Sequence, residues 1–105
     1  MKGKEASPNE YPGAHSYSIF QEETSYIKGY SACLNIFYSE EYQTMGVHED
    51  NEGFYVVSGN GQMKVGDEEY DLSPGCSMLA PAHVPHAIRK VGTKDLEVFL
   101  FHFPK

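Results

Sequence analysis

Two histidines and one glutamate stand out because their side chains, taken together, are those of a metal site. His48 is followed after three residues by Glu52, and His86 lies in a later segment of the chain. Imidazole nitrogens and carboxylate oxygens are ordinary ligands of divalent first-row metals. Three protein ligands leave coordination positions open for water or substrate, which a catalytic metal requires. If the two segments converge, His48, Glu52 and His86 are predicted to hold a metal ion.

The elements that must position these residues are short β-strands. Side chains alternate along a strand, so His48 and Glu52 share a face if the chain between them stays extended, although Asp50-Asn51 is a turn signal. Residues 54–57 are aromatic and β-branched, which is typical of a strand. Asn60-Gly61 then predicts a tight hairpin turn.

The rest of the sequence reads as more short strands separated by turns. Strands are predicted at 15–20, 30–38, 62–65, 68–72, 76–80, 85–90 and 96–103, with a polar connection at 21–25. Gly66-Asp67 predicts a turn between two of these strands. No window shows a sustained helical period, and regularly spaced short strands indicate an all-β sandwich or barrel.

Residues 30–38 carry apolar side chains on both faces. Ala32, Leu34 and Ile36 alternate with Cys33 and Phe37. A strand of this kind is covered on both sides, by a second sheet or by a partner subunit. Sheet edges also need cover. We therefore expect a homodimer.

The size and composition of the chain indicate one soluble globular domain. Its 105 residues are 40% apolar and 22% charged. Residues 1–14 are polar, with two prolines and two glycines, and predict a flexible N-terminal arm before a single domain at 15–105.

The charge and the lengths of the apolar runs argue against nucleic-acid and membrane partners. The formal net charge is -7 and the eight basic residues are not clustered, which argues against nucleic-acid binding. No apolar run is long enough to span a membrane and no basic-then-apolar leader opens the sequence, so we expect a cytoplasmic protein with no membrane partner. Cys33 and Cys76 are expected to be reduced and buried.

The residues around the candidate metal site resemble the cupin family. The first cupin motif is Gly, five residues, His-x-His, three or four residues, Glu, six residues, Gly; the second is Gly, five residues, Pro-x-Gly, two residues, His, three residues, Asn. His48, Glu52 and Gly59 match the first motif, and Gly75, Pro81 and His86 match the second. This resemblance, over about residues 46–86, implies a jelly-roll β-barrel whose interior holds a divalent transition metal (Fe, Mn, Ni or Zn) and a small-molecule ligand or substrate.

The chain departs from the cupin pattern at four positions. Gly46 stands at the first histidine of His-x-His, Glu40 at the opening glycine, His83 at the inner glycine of the second motif and Lys90 at its asparagine. The two histidines and one carboxylate that remain suit Fe(II) among other metals. The gap at Gly46 is either open to water or substrate or filled by another side chain.

Three further residues are candidates for the rest of the pocket. His102 could fill the gap, because it shares strand parity with Val98 and Leu100, which are expected to face inward. His83 is expected at the rim. Tyr55 follows Glu52 in the same segment, and its ring could either line the pocket or pack in the core.

The resemblance leaves more than one class of function open. The first is a metal-dependent enzyme acting on an oxygen-bearing small molecule, of isomerase, lyase or dioxygenase type. The alternative is a non-catalytic sensor domain that binds a sugar or carboxylate in the same pocket. A third is metal-free catalysis with His48 or His86 as general base. The substrate is not indicated by the sequence.

Overall fold

The computed structural model describes residues 7–20, 29–43 and 45–104, and these form nine strands, most of them from short apolar and β-branched runs. In chain order they are β1 (Asn9–Tyr11), β2 (Ala14–Phe20), β3 (Ser31–Phe37), β4 (Asn51–Ser58), β5 (Gly61–Val65), β6 (Glu68–Leu72), β7 (Ser77–Ala80), β8 (His86–Lys90) and β9 (Leu96–Phe103). The described residues contain no helix, and so none that could cross a bilayer.

The strands form two antiparallel sheets. One sheet has six strands in the order β1-β2-β3-β9-β4-β7, and the other has three in the order β6-β5-β8. The predicted all-β sandwich is therefore confirmed. Strands β4 and β9 are neighbours in the middle of the larger sheet, so side chains on their inner faces are held by strands on both sides.

The core lies between the two sheets and is built from alternate residues of the inner strands. Its most completely buried side chains are Val56, Met63, Leu96 and Val98. Each such side chain contributes roughly 1.5–3 kcal/mol through removal of apolar surface from water. This packing fixes β4 and β9, which carry part of the candidate site.

The predicted hairpin at Asn60-Gly61 is wrong. Strand β4 pairs with β7 and β9, whereas β5 pairs with β6 and β8, so the chain crosses here from one sheet to the other. Glycine is required for close approach: Gly59 has φ +85°, and a Cβ at Gly61 would collide with the carbonyl oxygen of Arg89. The turn at Gly66-Asp67 does join β5 to β6 as predicted.

Part of the segment interpreted as an N-terminal arm is a strand. Strand β1 pairs with β2, with Asn9 opposite Ser16. Residues 1–6 and the predicted connection at 21–25 lie outside the described residues. The division into an arm at 1–14 and a domain at 15–105 stays a prediction.

Strand β3 carries apolar side chains on both faces, as predicted, and lies between β2 and β9. Cys33 and Phe37 pack against the core from its inner face, leaving Leu34 and Ile36 on the outer face. Cys33 and Cys76 are both free, as expected, but each is only partly buried.

Candidate metal centre

Glu52 is a buried carboxylate at the start of the inner strand β4. It is 4% exposed, and in register it lies between Ala80 of β7 and His102 of β9. A charged side chain is rarely this buried without a partner, because burial removes its hydration. Its position therefore points to a function for the carboxylate.

Three imidazole nitrogens surround one oxygen of this carboxylate. Glu52 Oε1 lies 2.8 Å from Nε2 of His48, 3.3 Å from Nε2 of His86 and 3.8 Å from Nε2 of His102. His48 precedes β4 across a bend, and His86 begins β8 in the opposite sheet. The two sequence segments thus meet in space.

Glu52 Oε1 forms no hydrogen bond with any group in the part of the chain that the structure describes. The imidazoles of His48 and His86 can pair with this oxygen as cations only when they are protonated. A buried acceptor with no partner is costly, and native structures rarely leave one. A divalent cation among these atoms would satisfy the oxygen.

The donor set also fits a metal in its spacing. The ligand atoms of His48, Glu52 and His86 all lie within 4.8 Å of one another. Two ligands bound at about 2.1 Å to one tetrahedral ion lie roughly 3.4 Å apart. Glu52 Oε1 and His48 Nε2, 2.8 Å apart, would separate slightly, and the widest pair would move closer together. These residues are therefore chemically and spatially suited to hold a metal.

The backbone orients His86 for this role. Its Nδ1 lies 3.4 Å from the carbonyl oxygen of Val84, to which it can donate a hydrogen bond. In that tautomer Nε2, which lies near Glu52, has a free lone pair that can bind a metal. Burial by itself lowers the pKa of His86, but the Glu52 carboxylate and the Val84 carbonyl outweigh it, so the net pKa is raised.

His102 is oriented in a similar way by a carboxylate. Its Nδ1 lies 3.2 Å from Oδ1 of Asp50, and its ring meets that of His48 edge-on with centroids 5.3 Å apart. A ring N–H donated to a carboxylate is typical of histidines near metals. His102 is beside the other three residues, but its Nε2 is the most distant from Glu52 Oε1.

Gly46 lies at the site, although it has no side chain to contribute. Its backbone exchanges two hydrogen bonds with His86, of 2.8 and 3.0 Å. A Cβ at Gly46 would lie 3.5 Å from Nε2 of His48 and 3.9 Å from Nε2 of His86. The position at which the cupin pattern has a histidine is thus next to both imidazoles.

The site opens into a cavity of about 310 Å³ between the sheets. His48, Glu52, His86 and His102 lie on its wall. The remaining lining is apolar or neutral and polar, from Tyr11, Pro12, Ala14, Ser16, Cys33, Asn35, Phe37, Gln43, Phe54, Ala87, Ile88 and Leu100. A volume of this size accommodates a small ligand.

Two of the additional pocket candidates, Tyr55 and His83, are not among the described residues that line this cavity, so a pocket role for them stays a prediction. Tyr55 is 47% exposed, because strand alternation turns Glu52 and Phe54 inward and Tyr55 outward. His83 adopts φ +67° in the turn before β8, and its amide donates to the His48 carbonyl at 2.8 Å. His83 therefore supports the loop that carries His48.

Sequence reasoning missed polar residues of the site. Asp50 is only part of a turn signal in the sequence, yet its carboxylate contacts His102. Asn35 and Ser16 also line the cavity. Strand parity with Cys33 and Phe37 could have placed Asn35 on the inner face, but the contact between Asp50 and His102 has no signature in the sequence.

Comparison with known proteins identifies the family. Residues 39–102 match the model of the cupin domain family. An uncharacterised protein of Methanocaldococcus jannaschii is 25% identical over 57 residues, a match that spans 54% of this chain and 46% of that protein. The chain thus matches about half the length of this curated relative.

Solved structures share the fold. The plu4264 protein from Photorhabdus luminescens superimposes with a TM-score of 0.81 at 17% identity, covering 94% of this chain and 82% of that one. Fe(II)-HppE with an alternative substrate gives a TM-score of 0.76 at 22% identity, covering 86% of this chain and 49% of that one. With its two antiparallel sheets, its inward-facing histidine and glutamate residues and this family match, the chain belongs to the cupin domain family.

Proposed function

We propose that this protein is a small metal-dependent enzyme that acts on an oxygen-bearing small molecule in the cavity. The observation that carries the proposal is the buried Glu52 Oε1, which has no hydrogen bond among the described residues and faces the nitrogens of His48 and His86. Three protein ligands leave positions open on the cavity side.

His48, Glu52 and His86 would hold the ion. Two histidines and one carboxylate suit Fe(II), with Mn, Ni and Zn as the other candidates. The structural likeness to Fe(II)-HppE supports iron. The bound ion would polarise a carbonyl for isomerisation or elimination, or bind dioxygen for oxidation.

The chain's own residues prepare the cavity for such chemistry. Glu52 and His86 are fixed by the core strands, and Asp50 holds the ring of His102 beside them. Phe54 and Leu100 supply apolar wall that limits the entry of water. His102 lies on the cavity wall, where its imidazole can exchange a proton with a bound ligand.

A non-catalytic sensor is the second candidate, and Gly46 favours it. The site has one ligand fewer than the cupin pattern supplies, because Gly46 adds no side chain next to His48 and His86. A binding domain would use the same cavity for a sugar or carboxylate without turnover. Its ligand would raise the melting temperature in the absence of metal.

We also propose that the protein is a homodimer formed through the outer face of the six-stranded sheet. One row of aromatic side chains on β9 consists of Phe99, Phe101 and Phe103, whose successive ring centroids are 6.0 and 5.7 Å apart. Neighbouring strands add Tyr55 and Leu79, which are 47% and 59% exposed. A contiguous apolar face is typical of a subunit interface, and a second copy presents the same face.

Metal analysis of protein purified without chelator or affinity tag tests the function. We expect stoichiometric iron, manganese, nickel or zinc, lost in His86→Ala and retained in His15→Ala, whose exposed histidine pairs with Glu10. Metal retained in the triple alanine variant of His48, Glu52 and His86 would rule out the proposed centre.

A further inference from the structure

We propose that Asn35, together with Ser16, forms a second binding subsite in the cavity that recognises a hydroxyl group on the uncharged part of the ligand. The inference deepens the proposed function and rests on it for the end of the ligand held at the metal. The expected ligand is a compact hydroxylated molecule with no more than one anionic group.

Strand register places the two residues together on the inner face. Asn35 of β3 lies opposite Ser16 of β2 on one side and opposite Val98 of β9 on the other. Val98 is fully buried in the core. Asn35 and Ser16 both line the cavity that contains Glu52.

The carboxamide of Asn35 lacks a partner that the fold would normally supply. Its Oδ1 is buried and makes no hydrogen bond with any of the residues the structure describes. The two ends of an amide exchange by a half-turn, and each end requires a partner. A hydroxyl group satisfies either end, because it both donates and accepts.

Ser16 adds a second polar group to this wall. It is 6% exposed, and it interacts with the Cys33 thiol, whose pKa is raised by burial and lowered in part by the Ser16 side chain. A serine buried on the inner face of β2 next to the unpaired Oδ1 of Asn35 makes this part of the cavity polar, although core residues surround it. Such placed polar groups in an apolar pocket orient ligands.

The charge of the cavity wall restricts what can bind there. Among the described residues that line it, none is lysine or arginine. A phosphate or a second carboxylate at the Asn35 end would lose its hydration without gaining a counter-charge. One carboxylate can be neutralised at the metal, so the other end of the ligand is expected to be neutral and hydroxylated.

Matched probe pairs test the subsite. The Zn²⁺-loaded protein is titrated by calorimetry with 4-hydroxybutanoate, 5-hydroxypentanoate and 6-hydroxyhexanoate, and with butanoate, pentanoate and hexanoate. At one chain length or more, we expect the hydroxyl to tighten binding roughly three- to tenfold. Asn35→Leu should abolish this preference and retain affinity for the plain acid, and Asn60→Leu, at an exposed asparagine, should retain both.

A spectroscopic measurement on the unsubstituted protein keeps the test valid if Asn35→Leu does not fold. The side-chain amide signals of Asn35 in a ¹H–¹⁵N spectrum should move with the hydroxy acid and not with its plain counterpart. Adipate should bind less tightly than hexanoate. The proposal is overturned by the absence of a hydroxyl preference at every length, by a preference that survives in Asn35→Leu, or by adipate binding as tightly as hexanoate.

Failure of the metal centre is distinguishable from failure of the subsite. If Zn²⁺ does not bind, the same comparison is made on metal-free protein with butane-1,4-diol and butan-1-ol, which need no metal. A diol preference that depends on Asn35 supports the subsite, and equal binding of both probes contradicts it.

Discussion

Oε1 of Glu52 and Nε2 of His48 lie only 2.8 Å apart, yet Glu52 Oε1 has no hydrogen bond among the described residues. The carboxylate is buried and the imidazole is close to half exposed, so the pair lies where the core meets the outside of the barrel. This arrangement suits two ligands of a common cation. This relationship motivates the predictions about the metal.

Replacing the buried carboxylate should abolish the response to metal. In the unsubstituted protein, metal at about 100 times its Kd adds about 2.7 kcal/mol of stability. For a domain of this size that corresponds to roughly 10 °C or more in Tm. Glu52→Gln should lose this shift, because a neutral amide cannot replace the anionic ligand.

Glu49→Gln is the matched control, since Glu49 is exposed and nearby. It should keep the full metal-induced shift in Tm, as measured by differential scanning fluorimetry. A normal shift in Glu52→Gln would show that the ion binds elsewhere.

Restoring a side chain at Gly46 should strengthen metal binding. The backbone there is not in the left-handed region, and a Cβ would make ordinary contacts with His48 and His86. A histidine could therefore enter the site as a fourth ligand. We expect Gly46→His to bind Co²⁺ about tenfold more tightly than Gly46→Ala, which is about 1.4 kcal/mol.

The Co²⁺ comparison uses competition with a chelator, together with the d–d absorption bands that report coordination number. Gly46→Ala controls for the change in backbone freedom. Equal affinities and identical spectra for the two variants would mean that position 46 does not reach the ion.

The raised pKa of His86 predicts an opposite pH trend for stability and for metal binding. In metal-free protein, the charged imidazole next to Glu52 stabilises the fold below the ordinary histidine pKa of 6.5, and this contribution is lost as the pH rises through the raised folded pKa. The metal requires the neutral imidazole, so its affinity rises with pH over the same interval.

Urea unfolding of metal-free protein between about pH 5.5 and 8.5 measures the first trend. The free energy of unfolding of the unsubstituted protein relative to His86→Gln should fall with pH, whereas the value relative to His15→Gln serves as the control. A difference for His86 that grows with pH would contradict the assignment.

A charge on the outer face of the six-stranded sheet should dissociate the proposed dimer. Phe101 is 37% exposed, and its ring lies over Gly53, where any Cβ would collide with it. Phe101→Lys puts two like charges into a two-fold interface, and we expect a monomer by light scattering. Val91→Lys, at an exposed residue in the β8–β9 connection, should remain dimeric. A monomeric unsubstituted protein would refute the interface.

Much of the fold was predictable because strand signals are local. The alternation and turn residues around 68–72 and 96–103 gave β6 and β9 with their observed ends. The spacing of His48 and Glu52 and the later His86 predicted groups that now lie within 4.8 Å of one another.

What the sequence could not predict depends on pairing between distant segments. Asn60-Gly61 looks like a hairpin in isolation, but the partners of β4 and β5 lie in different sheets. Tyr55 and Glu52 are on the same strand, and only the direction of the core decides which of them faces the cavity. The approach of Asp50 to His102 likewise depends on the register of β4 with β9.

Anomalous scattering from crystals of metal-loaded protein locates the ion proposed at His48, Glu52 and His86. We expect one peak about 2.0–2.2 Å from Nε2 of His48, Nε2 of His86 and Oε1 of Glu52. A peak bound by other side chains, or no peak in the cavity of crystals grown with excess metal, would contradict this expectation.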